Sequence, residues 1–267
     1  MEIIKLFEDA LIYPSKELKK LIILGILFVI MSIFNILPML GIELSKYVAI
    51  DILSVISLIL LFLLILIISG YSLSITRKTI SNTEGSVPEF EWIKNTIDGI
   101  KVLVLTILYY IIPVIITLIA LYTIGAFDFI NQLVNTYVIH GSINPTLESI
   151  ASGNDPNILI ILILALFLYI LFSLLFLIAK AVLAETRSLA TAVNMIYIFK
   201  KIGQIKWRNY IIWIILFTAI SILFGVLIEN IIIIPLIGII IALLILSPYV
   251  EMFSARALGL IYNESKE

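Results

Sequence analysis

Between Asp51 and Arg77 the chain passes through twenty-five residues without one charged side chain, and comparable stretches begin near residues 21, 102, 158, 210 and 235. A helix rises about 1.5 Å per residue and the hydrocarbon core of a bilayer is roughly 30 Å thick, so each stretch is long enough to cross it. Few other folds are open to such a chain. An apolar share of 62%, a charged share of 13% and a mean hydropathy of +1.21 leave too little polar surface to cover a soluble domain. The reading is an all-α polytopic membrane protein with six transmembrane helices, over residues 21–40, 52–76, 102–127, 158–179, 210–231 and from 235 to near 254. With no cysteine, thiolate catalysis and Cys-ligated metals are excluded together.

Between these runs lie segments of a different kind. At the start, Ile4, Phe7 and Leu11 share a face, with Ile3 and Ala10 beside them and Glu2, Lys5, Glu8 and Asp9 opposite. That pattern predicts a helix lying in the membrane interface. The acidic, amphipathic start is unlike a secretory signal, so it is expected to be retained. Pro14 and Ser15 should break this helix and cap the next. Ser86 and Glu89 stand at capping-box spacing around Pro88, which predicts a second interfacial helix with Phe90, Ile93, Ile97 and Ile100 on one side and Glu91, Lys94, Asn95, Asp98 and Lys101 on the other. Residues 185–209 repeat the theme, with Leu189, Val193, Ile196, Phe199 and Ile202 opposite a basic face. About three cytoplasmic interfacial amphipathic helices are therefore expected. Each followed by two spans, they divide the single membrane domain, 1–267, into candidate parallel repeats at 1–85, 86–184 and 185–267.

Counting basic residues orients the chain. With both termini cytoplasmic, sixteen of the seventeen Lys and Arg residues lie inside and only Lys46 outside. Trp92, Trp207 and Trp213 then fall at the same cytoplasmic boundary. A multi-pass protein of the cell membrane follows as the expectation.

Several short motifs carry a family likeness. Gly70-Tyr71, Arg77, Pro88-Glu89-Phe90, Asp98-Gly99-Ile100-Lys101 and Tyr109, followed near the end by Pro248-Tyr249, Arg256, Gly259 and Tyr262, resemble the domain of unknown function 4013 family of multi-pass, mainly archaeal membrane proteins. The resemblance implies the membrane fold and brings no activity, cofactor or catalytic residue with it.

Chemistry is sparse. His140 shares a loop with Asp128, Glu148 and Asp155 but without ligand spacing, so it reads as a solvated histidine. Glu229, Glu251, Arg256 and Lys180 near span ends read as interface anchors. Asn35, Ser69, Tyr109, Tyr110, Ser173, Ser221 and Asn230 within spans either hold helices together or line a solute path, and the first use is the commoner. No nucleophile elbow, phosphate loop, dinucleotide fingerprint or zinc motif occurs, which argues against an enzyme. Arg77 and Lys78, with Lys200, Lys201, Lys206 and Arg208, flank the amphipathic segments and suit anionic lipid headgroups or a cytoplasmic or membrane protein partner. Acidic residues interleaved with them exclude nucleic acid. The preferred expectation is a non-enzymatic, lipid-interacting, membrane-organising or partner-docking module. The alternative is a transporter or channel for a small or lipid-like solute, using kinks at Pro113 and Pro248.

Overall fold

The computed structural model describes residues 3–41, 50–81, 86–123 and 156–266, apart from the side chains at 35, 38, 39, 50, 51 and 156–158. Regular structure among them is helical throughout. The chain opens with α1 (Ile3–Ile12), a 3-10 turn (Tyr13–Glu17), α2 (Leu18–Met31) and α3 (Ile33–Met39). Next come α4 (Ile50–Ser81), α5 (Trp92–Thr123) and α6 (Pro156–Thr186). Two short helices, α7 (Leu189–Val193) and α8 (Met195–Ile205), lead to α9 (Trp207–Ile232). The last rod is α10 (Ile237–Ile241), a π-helical segment (Ala242–Leu246) and α11 (Ser247–Asn263).

Among the described residues five helices are long and apolar enough to cross a membrane: Ile52–Ser81, Trp92–Thr123, Leu159–Thr186, Trp207–Ile232 and Ile237–Asn263. The chain is therefore a multi-pass membrane protein. The expected span at 21–40 is not one rod. α2 has 14 residues, about 21 Å of helix, and stops at Ser32, where the backbone leaves helical angles (φ −97°, ψ 6°) before α3 resumes.

The expected interfacial helix at 86–101 is also corrected. Residues 86–91 form no regular element, and the segment from Trp92 onward forms the first turns of α5, which continues to Thr123 without a break. No helix-breaking residue separates the amphipathic turns from the apolar run, so the backbone ladder simply propagates through Lys101 and Val102. α1 does form, but the face it buries is Leu6, Phe7 and Ala10, while Ile4 is 69% exposed. Phe7 decides this register by lying against both Trp213 and Phe253, with ring centroids 6.3 Å away in each case. Pro14 breaks α1 as expected, through the 3-10 turn, but Ser15 bonds back to the Ile12 carbonyl and does not cap α2.

The chain divides into two compact units, Met1–Leu105 with Leu177–Glu267, and Thr106–Phe176. In the first, α4 and α5 cross at a reciprocal pair of glycines. A Cβ on Gly70 would fall 1.7 Å from the Asn95 carbonyl oxygen, and one on Gly99 would fall 1.9 Å from that of Leu66. Only residues without a side chain allow this approach, which gives two apolar helices dense backbone contact where the hydrophobic effect supplies none. In the last rod Pro248 cannot donate to the Leu244 carbonyl, and the helix widens into its π segment just before it. Ser247 Oγ donates to the Ala242 carbonyl at 2.9 Å, and the Leu244 carbonyl oxygen faces Gly25 of α2, 2.1 Å from where a Cβ would sit.

In the second unit Tyr110 OH and Ser173 Oγ share a hydrogen bond of 2.8 Å, the Tyr169 ring lies tilted against that of Tyr110 at 5.0 Å, and the buried Tyr109 ring meets Phe176 edge to face at 6.0 Å. α5 carries Pro113 without interruption, and Thr117 Oγ1 donates to the Pro113 carbonyl.

Candidate functional site

Most of the described ionic residues of the first unit gather at one end, Glu229 near the far end of α9 being an exception. Helix length explains why: α5 has 32 residues, about 48 Å, which exceeds the roughly 30 Å hydrocarbon core by several turns. The surplus turns of α4, α5 and α6 carry the charges. Arg77 Nη1 donates to Asp98 at 2.7 Å and its Nε to the Ala184 carbonyl at 3.0 Å, tying these three helices together. Lys101 stands 3.9 Å from the other Asp98 oxygen. Breaking a buried pair of this kind by removing one partner typically costs about 3–5 kcal/mol. Across the unit, Arg256 is 1% exposed, pairs with Asp9 and lies over the Tyr13 ring at 5.1 Å, so it is a buried clamp and not the snorkelling anchor expected. Tyr262 OH donates to Glu185 at 2.6 Å, and Lys266 pairs with the same carboxylate at 2.7 Å. Lys180 Nζ donates to Ser72 Oγ at 3.1 Å.

The segment 86–91, a strap without regular structure, is held by its carbonyls. Tyr13 OH donates to Ser86 O, Lys20 Nζ to Val87 O at 2.9 Å and Tyr71 OH to Pro88 O at 3.2 Å. Lys20 also pairs with Glu17 at 3.0 Å and Glu89 at 2.9 Å, so a nearly buried ammonium is satisfied on all sides. Burial presses the Lys20 pKa down, but the hydrogen bonds to Glu89 and Glu17 outweigh it and hold the value above that of a free lysine. The same bond to Lys20 holds the Glu89 carboxyl below the ordinary glutamate value. Burial pushes the Tyr13 phenol far above its ordinary value against the pull of Arg256, so it stays a neutral donor. These long-range donors take the carbonyls that the expected capping box needed for its own first turn, and the helix starts at Trp92 instead.

Beside the strap opens a cleft of about 640 Å³ lined by Arg77, Phe90, Glu91, Trp92, Ile93, Lys94, Ile97, Asp98, Lys101 and Arg187. Four cationic side chains face two carboxylates there, and its apolar wall is open: Ile93 is 79% exposed, Trp92 52% and Ile97 51%. Lys94 Nζ donates to Glu91 Oε1 at 2.7 Å on the surface. Arg187 sits just past the end of α6 with φ 58°, a left-handed cap in which its N–H returns to the Leu183 carbonyl.

A second surface lies on α8, whose start is capped by the Asn194 side chain accepting from the Tyr197 N–H. Going round this helix, Ile198, Ile202 and Ile205 are buried against the unit. The next sector carries exposed Phe199 and Ile196, and the third carries Lys200, Lys201 and Gln204. Trp207 continues the exposed apolar sector with its ring 6.1 Å from Phe199, and Lys206 and Arg208 flank it on the surface.

The sequence-predicted basic residues thus part company. Lys200, Lys206 and Arg208 are exposed, Lys201 lies over the Tyr262 ring, and Lys78 reaches the Val87 carbonyl of the strap. Arg77 is built into the ion-pair cluster and also lines the cleft. Trp213 is fully buried in a ring stack with Phe217 and Tyr210. Of the residues of the expected solute path, Tyr110 and Ser173 share a hydrogen bond in the second unit, and in the first Asn230 and Ser221 each bond back to a carbonyl of their own helix. Ser69 is half-buried on α4, and the Asn35 side chain lies outside the described ones. Pro113 does border a groove of about 450 Å³ with Val114, Thr117, Leu118, Ala165, Leu166 and Tyr169, nearly all apolar. His140, Asp128, Glu148 and Asp155 lie outside the described residues. Sequence reasoning missed Lys94, Lys101 and Arg187 as a group, because their sequence separation gives no sign that they share a cleft.

A protein-family model with the description "Protein of unknown function (DUF4013)" matches residues 52–246. No curated protein and no solved structure matches the chain.

Proposed function

The chain belongs to the DUF4013 family, whose function is unknown, and we propose that this member is a non-catalytic membrane module whose basic end is cytoplasmic and organises anionic lipid. One observation carries the reading: the order of the sectors around α8. A helix packed on a soluble domain would turn from buried to polar directly. Here an exposed apolar sector of Phe199, Ile196 and Trp207 lies between the buried isoleucines and the cations. Such a sequence of surfaces suits a helix with protein on one side, acyl chains on the next and water on the third. Lys200, Lys206 and Arg208 then stand at headgroup depth, where each contributes about 1 kcal/mol toward an anionic leaflet. The distribution of sixteen of seventeen basic residues supports the cytoplasmic orientation.

The absence of cysteine makes the test direct. Single cysteines replacing Ile196, Phe199, Lys200 and Gln204 in turn, each carrying a nitroxide label in reconstituted vesicles, should divide into two classes. Labels at 196 and 199 are expected to relax with lipid-dissolved oxygen, and those at 200 and 204 with a water-soluble nickel chelate. Equal access of all four to the chelate would remove the reading.

A further inference from the structure

We propose that the cleft beside the strap binds the phosphate of one membrane lipid, with Arg187, Lys101, Lys94 and the free edge of Arg77 as its ligands. Arg77 is the fixed element. A guanidinium has five N–H donors, and Arg77 spends one on Asp98 and one on the Ala184 carbonyl, which leaves three on a group that those bonds hold still. Lys101 and Lys94 stand seven residues apart on one face of α5, two turns or about 10.5 Å along its axis. Arg187 comes from the far side on its left-handed cap, exposed and with no ionic partner among the described residues. The surplus of two positive charges over Glu91 and Asp98 selects an anion, and planar guanidinium edges suit phosphate oxygens.

The wall opposite narrows the source. A free phosphate has no use for Trp92, Ile93 and Ile97, yet these line the same cleft and leave their apolar surface open. An amphiphile meets both halves, with its phosphate among the cations and its apolar part leaving past Ile97, the wall residue nearest the apolar run of α5. This assignment rests on the function proposed above only in taking this end of the unit to lie at headgroup depth.

The experiment uses the full-length chain in a neutral detergent, titrated with dioleoylphosphatidylglycerol and read by native mass spectrometry. The unmodified chain is expected to retain one phosphatidylglycerol more tightly than phosphatidylcholine. Arg187→Gln with Lys101→Gln should weaken that retention about tenfold or more, and Arg187→Lys should keep most of it. The thermal midpoint of each variant without lipid reports whether it has folded. If the folded double variant retains phosphatidylglycerol as well as the unmodified chain, the cleft is not the site. Displacement of the lipid by inorganic phosphate or sn-glycerol 3-phosphate at equal concentration would overturn the lipid as the source. Neither result depends on where nitroxides on α8 sit, so the two readings fail separately.

Discussion

Asp98 accepts from Arg77 while Lys101 stands close by, and all three charges sit beyond the apolar part of their helices. Asp98→Asn would leave the Arg77 guanidinium, 15% exposed, without a counter-charge, and a loss of about 3 kcal/mol is expected in a reversible denaturation of the purified protein. A loss below about 0.5 kcal/mol would mean that the pair is solvated like a surface bridge. The Lys20–Glu89 pair makes a prediction in pH. Glu89 has a lowered pKa in the folded chain, so its contribution is complete above the ordinary glutamate value of 4.5 and fades as pH falls through the lowered value. Lys20 has a raised pKa, so its contribution is complete below the ordinary lysine value of 10.5 and fades as pH rises through the raised one. Amide exchange of the strap, corrected for its intrinsic pH dependence, should therefore show protection falling at both extremes. Glu89→Gln should abolish the acid limb, and persistence of that limb in the variant would assign it to another group.

At the scale of elements, the strap and the glycine crossing are where tertiary contact overrides local preference. Tyr71 donates to the Pro88 carbonyl while its ring lies 4.5 Å from that of Phe90. Tyr71→Phe keeps the ring and deletes the bond, so the strap should lose about 1 kcal/mol of protection against exchange without a change in helix content. Unchanged protection would show that the neighbouring bonds suffice. At the α4–α5 crossing, Gly70→Ala places a methyl where the Asn95 carbonyl already stands, whereas Gly203 and Gly225 meet nothing within 4 Å. Gly70→Ala should lower the thermal midpoint markedly and Gly225→Ala should leave it unchanged or raise it. Similar midpoints for the two would argue that the helices slide apart at no cost.

For the whole molecule the testable statement is sidedness. Lys16, Gln204 and Lys266 are exposed and come from three separate parts of the first unit. Single cysteines at these positions should react with a membrane-impermeant maleimide only after the cytoplasmic face is opened. Reaction of any one of them from outside the cell would break the assignment of this end to the cytoplasm.

Length and hydropathy are properties of a segment by itself, so the all-helical, membrane-crossing class and the rods around residues 52–76, 158–179 and 210–231 were legible before any coordinates. Proline also acts locally, and the break after α1 and the disturbed helix before Pro248 could both be read from it. Helix ends and burial depend on partners that the local sequence does not contain. Lys20 reaches a carbonyl 67 residues away and Tyr249 bonds to Leu11 across 238. Contacts of that range moved the start of α5 to Trp92, rotated α1 onto Phe7 and buried Arg256 and Trp213, and they alone brought Arg77, Lys94, Lys101 and Arg187 to one cleft. The sequence by itself determined which segments are apolar enough for a bilayer, because transfer from water to hydrocarbon is summed residue by residue. Tertiary structure alone decided which charges are built into the fold, because a charge is held by the partners that stand within about 4 Å of it and by how deeply the pair is buried.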